Sequence, residues 1–105
     1  MKLNAITDDR TRLFDWRMDV VNNAVGGGEE CEICRGRECL ECHHIIGRGT
    51  RSLRYNKKNG IVVCRPCHNR PDLIWAWLEI KKPKLYAWLM KKKNELHHGQ
   101  RFKGI

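Results

Sequence analysis

The sequence lacks any long apolar segment. No stretch approaches the roughly 18 consecutive apolar residues that a helix needs to cross a bilayer. Residues 1–7 are mixed in character and show neither the apolar region nor the small-residue cleavage site of a secretory leader. These absences argue against a membrane protein and against a secreted one. The sequence therefore predicts a cytoplasmic protein with no membrane partner.

Acidic residues are also scarce. The 105 residues contain 12 Asp and Glu against 21 Lys and Arg, which gives a net charge of +9 with neutral histidines. Such an excess favours a polyanionic partner, and nucleic acid is the most common one. A positive surface that serves only solubility is the alternative. No base-reading helix or internal repeat can be recognised, so strong sequence specificity is not expected.

Cysteine, in contrast, is abundant. Six cysteines in a chain of single-domain length indicate that something besides apolar packing holds the fold together. Disulfides are not expected, because the cytosol keeps thiols reduced. The cysteines are therefore predicted to bind metal.

The cysteines occur as three Cys-x-x-Cys pairs, and two such pairs a few tens of residues apart are a strong indication of zinc. The pairs are Cys31/Cys34, Cys39/Cys42 and Cys64/Cys67. The first and last pairs fit tight turns that bracket the middle of the chain, so we predict that they form one tetrahedral, four-thiolate zinc site. The middle pair lies on a predicted strand, where residues three apart point to opposite faces, so its thiols are predicted to be small buried residues. Four protein ligands leave no open position, which makes the zinc structural.

Apolar periodicity and turn residues predict the remaining organisation within one domain, residues 1–105. Asp8 or Asp9 can cap a helix over residues 8–25, in which Leu13, Trp16 and Val20 follow helical spacing and which three consecutive glycines end. The other elements follow in chain order: strand-like segments at 39–46 and 61–63, with a turn at Asn59-Gly60, a helix from about Cys67, and two basic helices over 73–98 divided at Pro83.

Histidines and an asparagine stand at ordered distances inside the segment that the cysteines bracket. His43 and His44 are adjacent, Asn59 follows 15 residues after His44, and His68 directly follows the last cysteine. With the flanking cysteine pairs, this order resembles the HNH endonucleases of the ββα-metal (treble-clef) fold, including phage and bacterial members. The resemblance covers residues 31–72. It implies an α+β domain in which a ββα-metal core carries an N-terminal helix and C-terminal helices.

The resemblance also implies a mechanism. His44 would activate water as a general base, while His43 and His68 would bind one divalent ion (Mg²⁺, Mn²⁺, Ni²⁺ or Zn²⁺) at the scissile phosphate. Asn59 would tie the hairpin together and orient the base. The products would carry a 3′-hydroxyl and a 5′-phosphate. The partner would be DNA, contacted largely through its backbone, in a bacterial or phage-infected cell.

Two points of this site stay open. On a helix that starts near Cys67, His68 and Asp72 are four residues apart and share a face, so Asp72 is the predicted third metal ligand and Asn69 is its rival. His43 and His44 would face opposite ways on a regular strand. Both can serve one site only if the backbone is irregular there or the site straddles the strand edge.

A basic loop separates His44 from Asn59. Arginine suits bidentate phosphate contact, and Arg48 is the candidate for the scissile phosphate because it is the nearest to the histidines in sequence. The sequence thus predicts a metal-dependent DNA endonuclease of low specificity. The alternative is a noncatalytic zinc-finger module that binds nucleic acid or docks a partner. The oligomeric state, and whether one or both strands are cut, are left open.

Overall fold

A computed structural model describes residues 8–47 and 49–103, with side chains described up to residue 96. Within these ranges the chain forms four helices and a two-stranded antiparallel sheet, which confirms an α+β class. The elements are α1 (Asp9–Asn23), β1 (Leu40–His43), β2 (Ile61–Cys64), α2 (Arg65–His68), α3 (Pro71–Lys81) and α4 (Pro83–Lys103), with 3₁₀ turns at Arg51–Leu53 and Lys57–Asn59. None of the helices in these ranges combines the length and the apolar character that crossing a bilayer requires.

Helix α1 begins at a capping carboxylate and ends ahead of a glycine run. The Asp8 side chain accepts a hydrogen bond from the Thr11 N–H at 2.9 Å, which satisfies one of the unpaired amides of the first turn. The helix ends at Asn23, two residues before the predicted end, and the three glycines at 26–28 then adopt positive φ angles that other residues disfavour. The predicted column of Leu13, Trp16 and Val20 is buried.

A second apolar column on α1, through Phe14, Met18 and Val21, packs against the core only in part. Phe14 and Met18 are 56% and 44% exposed, and Val25 beyond the helix is 40% exposed. The column through Trp16 and the partly buried Val21 therefore contribute to the core, whereas Phe14 and Met18 do not.

The sheet separates α1 from α2 and sorts the side chains of β1 by strand alternation. Leu40 pairs with Cys64 and His43 with Ile61. Leu40 and Cys42 pack with the α1 cluster around Trp16. Residues of alternate parity on a strand face opposite sides, so Glu41 and His43 lie towards α2.

Gly60 has a different role from the one predicted. Its backbone is extended, with φ −153° and ψ 152°, rather than turned. A Cβ atom at this position would lie 2.3 Å from Val20 Cγ2 and 2.9 Å from Trp16 Cζ2. Glycine is therefore required here because α1 approaches the start of β2 closely, which brings Trp16 to the loop before that strand.

The helices after β2 are interrupted where one continuous helix was predicted. Helix α2 ends at His68, and α3 begins at Pro71, whose fixed φ and missing N–H suit a first helical turn. The prediction that His68 and Asp72 lie on one helix, four residues apart, is therefore wrong. Helix α4 begins at Pro83 as predicted and continues to Lys103, beyond the predicted end. The main core combines the two strands with α3 and α4 through Ile61, Val63, Ile74, Leu78 and Leu89, each at most 2% exposed.

Candidate metal centre and adjoining histidine site

The sulfur atoms of Cys31, Cys34, Cys64 and Cys67 all lie within 4.8 Å of one another. The Cys34 and Cys64 sulfurs are 3.6 Å apart. The first pair forms a tight turn in which the Cys34 N–H donates to Cys31 Sγ and the Gly36 N–H to Cys34 Sγ, each at 3.4 Å. The second pair spans the end of β2 and helix α2. These four thiols could hold a metal ion such as zinc.

The four thiols differ in how easily they ionise. Burial raises the pKa of the Cys31 thiol, but backbone hydrogen bonds from Cys34, Cys64 and Ile33 outweigh it and bring that pKa down to about 7. For Cys67, burial raises the pKa, and hydrogen bonding to neighbouring sulfurs raises it further. Thiolates this close repel one another, so the four thiols do not all ionise without a cation. One divalent cation shared among them would stabilise all four thiolates.

The remaining cysteine pair stands outside this group. Cys39 precedes β1 at a φ of 54° and is exposed, so the prediction that it is buried is wrong. Cys42 is half-buried, with its sulfur 3.9 Å from the Arg17 carbonyl oxygen. The two thiols do not share one turn, since Cys39 lies before the strand and Cys42 within it.

His43 and His68 lie side by side between β1 and α2. Their ring centroids are 4.4 Å apart, with the planes inclined at 65°. Burial lowers the pKa of His43, and the charges of His68 and His44 lower it further, so neutral His43 keeps a lone pair for a ligand.

Glu41 lies beside the His68 ring. His68 Nδ1 is 3.0 Å from Glu41 Oε1, but the direction does not satisfy hydrogen-bond geometry, and this buried nitrogen has no hydrogen-bond partner among the described residues. The two groups are therefore in contact without a directed hydrogen bond. Arg65 holds the same carboxylate from its other side, with Nε 2.6 Å from Oε2. Sequence reasoning missed Glu41, although its position two residues before His43 on one strand face was readable.

His44 lies just beyond β1, and its ring faces α1. It stacks on Trp16 at a centroid distance of 3.8 Å and an interplanar angle of 3°, and its Nε2 lies 2.9 Å from the Arg54 carbonyl oxygen. Because a carbonyl only accepts, Nε2 carries the proton in the neutral ring, which leaves the lone pair on Nδ1. His44 therefore faces α1 while His43 lies towards α2, so the two histidines can serve one site only if it straddles the strand edge.

Trp16 also fixes the loop that connects His44 to β2. Its Nε1 donates to the Asn56 carbonyl oxygen at 3.0 Å, and its side chain is 2% exposed. Two residues before Asn56 in the same loop, Arg54 forms an ion pair with Asp9 at the start of α1. The sequence indicated Trp16 only as a core residue, and its contact with His44 depends on tertiary packing.

Asn59 ties the same loop internally. Its side chain is fully buried, its Oδ1 accepts the Ile46 N–H at 2.7 Å, and its Nδ2 donates to the carbonyl oxygens of Ile46 at 2.9 Å and Leu53 at 3.2 Å. These bonds join the segment after His44 to the segment before β2. The orientation of His44 by Asn59 stays a prediction.

Replacing Asn59 with alanine should therefore destabilise the domain strongly. The change leaves the buried Ile46 N–H and two carbonyl oxygens without partners, at a cost of about 3 kcal/mol or more. Asn56→Ala is a matched control, because Asn56 makes a single exposed side-chain bond to the Lys58 N–H and should cost about 1 kcal/mol or less. Urea unfolding with zinc present measures both, and equal losses would contradict the tying role of Asn59.

The other predicted site residues are not brought to the histidine pair. The Asp72 side chain is 76% exposed and lies 3.4 Å from Arg70. Asn69 is exposed and caps α2 through its backbone N–H. Arg48 lies outside the described residues. Among the described residues, the four cysteines are the one group of three or more candidate ligands that could hold a metal.

A buried carboxylate that the sequence did not indicate supports the cysteine turn. Glu32 is 4% exposed, accepts the N–H groups of Val62 at 2.9 Å and Val25 at 3.2 Å, and lies 3.4 Å from Lys82 Nζ. Its own N–H donates to the Val62 carbonyl oxygen. Glu32 thus joins the first cysteine turn to β2 and to the residue between α3 and α4.

Comparison of the chain with protein-family models, curated proteins and solved structures returns no match. Its function must therefore be argued from the site itself. The chemistry available is a cluster of four thiols, an imidazole pair beside a carboxylate, and a third imidazole with an assigned tautomer.

Proposed function

We propose that the chain is a metal-dependent endonuclease of the HNH kind that hydrolyses phosphodiester bonds in DNA. The observation that carries this proposal is the pair of imidazoles from His43 and His68, 4.4 Å apart, with Glu41 Oε1 3.0 Å from His68 Nδ1. A carboxylate beside one ring nitrogen of a histidine leaves the other nitrogen for a metal ion. Two adjacent imidazoles fit two ligands of one divalent ion.

The proposal assigns a separate, structural role to the four cysteines. They would hold zinc in a closed tetrahedral site that leaves no position for water or substrate. The zinc would fix the first cysteine turn to the end of β2 and to α2. It would thereby hold His68, which directly follows Cys67, opposite His43 on β1.

His44 would act as the general base. Its Nδ1 lone pair would take the proton from the attacking water, while the Arg54 carbonyl oxygen holds the Nε2 proton and the Trp16 ring fixes the plane of the imidazole. Asn59 would position this loop without touching the substrate. Arg48, if it lies where the sequence predicts, would contact the scissile phosphate.

The second metal site is supported by two of its predicted ligands. A divalent ion bound there would neutralise charge on the phosphate and on the leaving oxygen. His43 and His68 would hold it, and the Glu41 carboxylate would orient the His68 ring, as carboxylates commonly do for ligating histidines. Asp72, which lies exposed beside Arg70, is not brought to this pair as a third ligand.

A noncatalytic zinc module that binds nucleic acid is the second candidate. It is favoured by the fact that, among the described residues, only the cysteines form a group of three or more candidate ligands. The two candidates differ in what His68 is needed for. A structural module requires neither the imidazole pair nor a second metal ion.

Nicking of supercoiled plasmid tests the proposal. Zinc-loaded wild-type protein should nick when Mg²⁺, Mn²⁺ or Ni²⁺ is added and should not nick without an added divalent ion. His68→Ala should slow nicking by at least about 100-fold because it removes a metal ligand. Arg70→Ala, a nearby exposed change, is the control and should nick normally. His68→Ala must keep its zinc, so that the loss is not one of folding.

Several outcomes would contradict the proposal. Nicking that needs no added divalent ion, or that His68→Ala leaves unchanged, would argue against the histidine-bound ion. A wild-type protein that binds DNA but cuts in none of these metals would favour the noncatalytic module.

A further inference from the structure

A basic cleft lies between the start of α1 and the loop that meets His44. It encloses about 600 Å³, and its lining residues are Asp9, Arg12, Gly49, Arg51, Arg54 and Tyr55. Three guanidinium groups and one carboxylate therefore face the same space. Two of these residues, Asp9 and Arg12, lie on α1, and the other four lie in the loop between His44 and β2.

Arg54 and Asp9 form the structural wall of this cleft. Arg54 Nε and Nη2 bond the two oxygens of Asp9 at 2.7 and 2.6 Å, and the Tyr55 hydroxyl donates to the same carboxylate. These hydrogen bonds raise the pKa of Arg54 above its ordinary value. Because the Asp9 charge is engaged by Arg54, it offsets little of the charge on the other two arginines.

Arg12 and Arg51 supply the remaining positive charge. The Arg12 guanidinium lies over the Tyr55 ring, 4.0 Å from its centroid, which fixes its orientation while its N–H donors stay at the edge of the stack. Arg51 opens the exposed 3₁₀ turn Arg51–Leu53. Both therefore present planar donors suited to phosphate oxygens.

The cleft is joined to His44 through one residue. The side chain of Arg54 lines the cleft, and its carbonyl oxygen bonds His44 Nε2 at 2.9 Å. A backbone lying in the cleft would thus pass next to the imidazole that we assign as the base.

We propose that this cleft binds the DNA backbone next to the cutting site, with Arg12 and Arg51 contacting phosphates and Arg54 holding the loop rather than the DNA. This inference rests on the proposed function and extends it by naming the surface that the substrate occupies. It also gives α1 a binding role in addition to its packing in the core.

Fluorescence anisotropy of the zinc-loaded protein with a labelled 20-base-pair duplex, in buffer without added Mg²⁺, Mn²⁺ or Ni²⁺, measures this binding without cutting. Arg12→Gln and Arg51→Gln should each weaken binding by about 3- to 10-fold, and each should reduce the slope of log affinity against log salt by about 0.9. Arg12→Lys, which keeps the charge, should keep most of that slope. Arg17→Gln is the matched control, since Arg17 lies on the same helix beside a different surface with Met18 and Cys42, and it should bind like wild type.

The outcomes separate this inference from the nuclease proposal. An equal loss of affinity in Arg17→Gln, or unchanged binding in the Arg12→Gln/Arg51→Gln double variant, would contradict DNA binding in the cleft. Neither result would bear on whether the protein nicks plasmid. If the arginine variants weaken DNA binding but the wild-type protein nicks no plasmid, DNA binding in the cleft is supported and the nuclease proposal is contradicted. If Arg12→Gln fails to fold, Arg51→Gln on its exposed turn still decides.

Discussion

Replacing Cys64 with serine is expected to reduce the bound zinc from about one ion per chain to almost none and to unfold the domain. Cys64 ends β2, caps α2 and is 7% exposed, so its sulfur connects both elements to the Cys31 turn. A serine hydroxyl does not ionise to replace a thiolate. Structural zinc contributes about 10–16 kcal/mol in small zinc peptides, which equals or exceeds the stability of a typical domain.

Zinc content by atomic absorption and helicity by circular dichroism measure this effect. Cys39→Ser and Cys42→Ser are matched controls, because neither sulfur belongs to the four-cysteine group, and both should retain zinc and helicity. A Cys64→Ser protein that stays folded with a full zinc content would overturn the assignment. Loss of zinc from Cys39→Ser would show that the wrong pair had been chosen.

The cysteine cluster could be predicted because its geometry is largely local. Two residues between paired cysteines fit a tight turn, and only two turns then have to meet. The same holds for α1, where Leu13, Trp16 and Val20 recur at the helical period and an aspartate precedes them. In both cases short-range spacing carries the information, and the structure brings the expected atoms together.

The surroundings of the histidines could not be predicted in the same way. The stack of His44 on Trp16 joins residues 28 positions apart in the chain, and it depends on Gly60 allowing α1 to approach β2. Sequence spacing contains no record of such packing. The buried carboxylate of Glu32 shows the same limit, since its partners lie on three separate segments.

The prediction that Asp72 shares a helix with His68 is wrong for a more specific reason. Pro71 is the first residue of α3, so no single helix runs from Cys67 to Asp72. The residue before a proline is disfavoured in helical conformation, and Arg70 accordingly has φ −125° and ψ 76°. That rule, applied to Arg70, would have separated His68 from Asp72.

Replacing His44 with glutamine should slow plasmid nicking by about 10²- to 10⁴-fold, the contribution of a positioned general base. The glutamine amide can still donate to the Arg54 carbonyl oxygen, so the loop should keep its place, but it cannot accept a proton from water. DNA affinity without added Mg²⁺, Mn²⁺ or Ni²⁺, and zinc content, should therefore match those of wild type. The quantity to measure is the single-turnover nicking rate at saturating Mn²⁺.

A rescue experiment distinguishes a base from a positioning residue. His44→Gly leaves space above the Trp16 ring, and added imidazole should restore part of the nicking rate there, by about 10-fold or more, because it can supply the missing base. The same imidazole should not help His44→Gln, whose side chain fills that space. Rescue of neither variant, or a His44→Gln rate within about threefold of wild type, would mean that water is activated elsewhere. His44 would then serve only as the packing partner of Trp16.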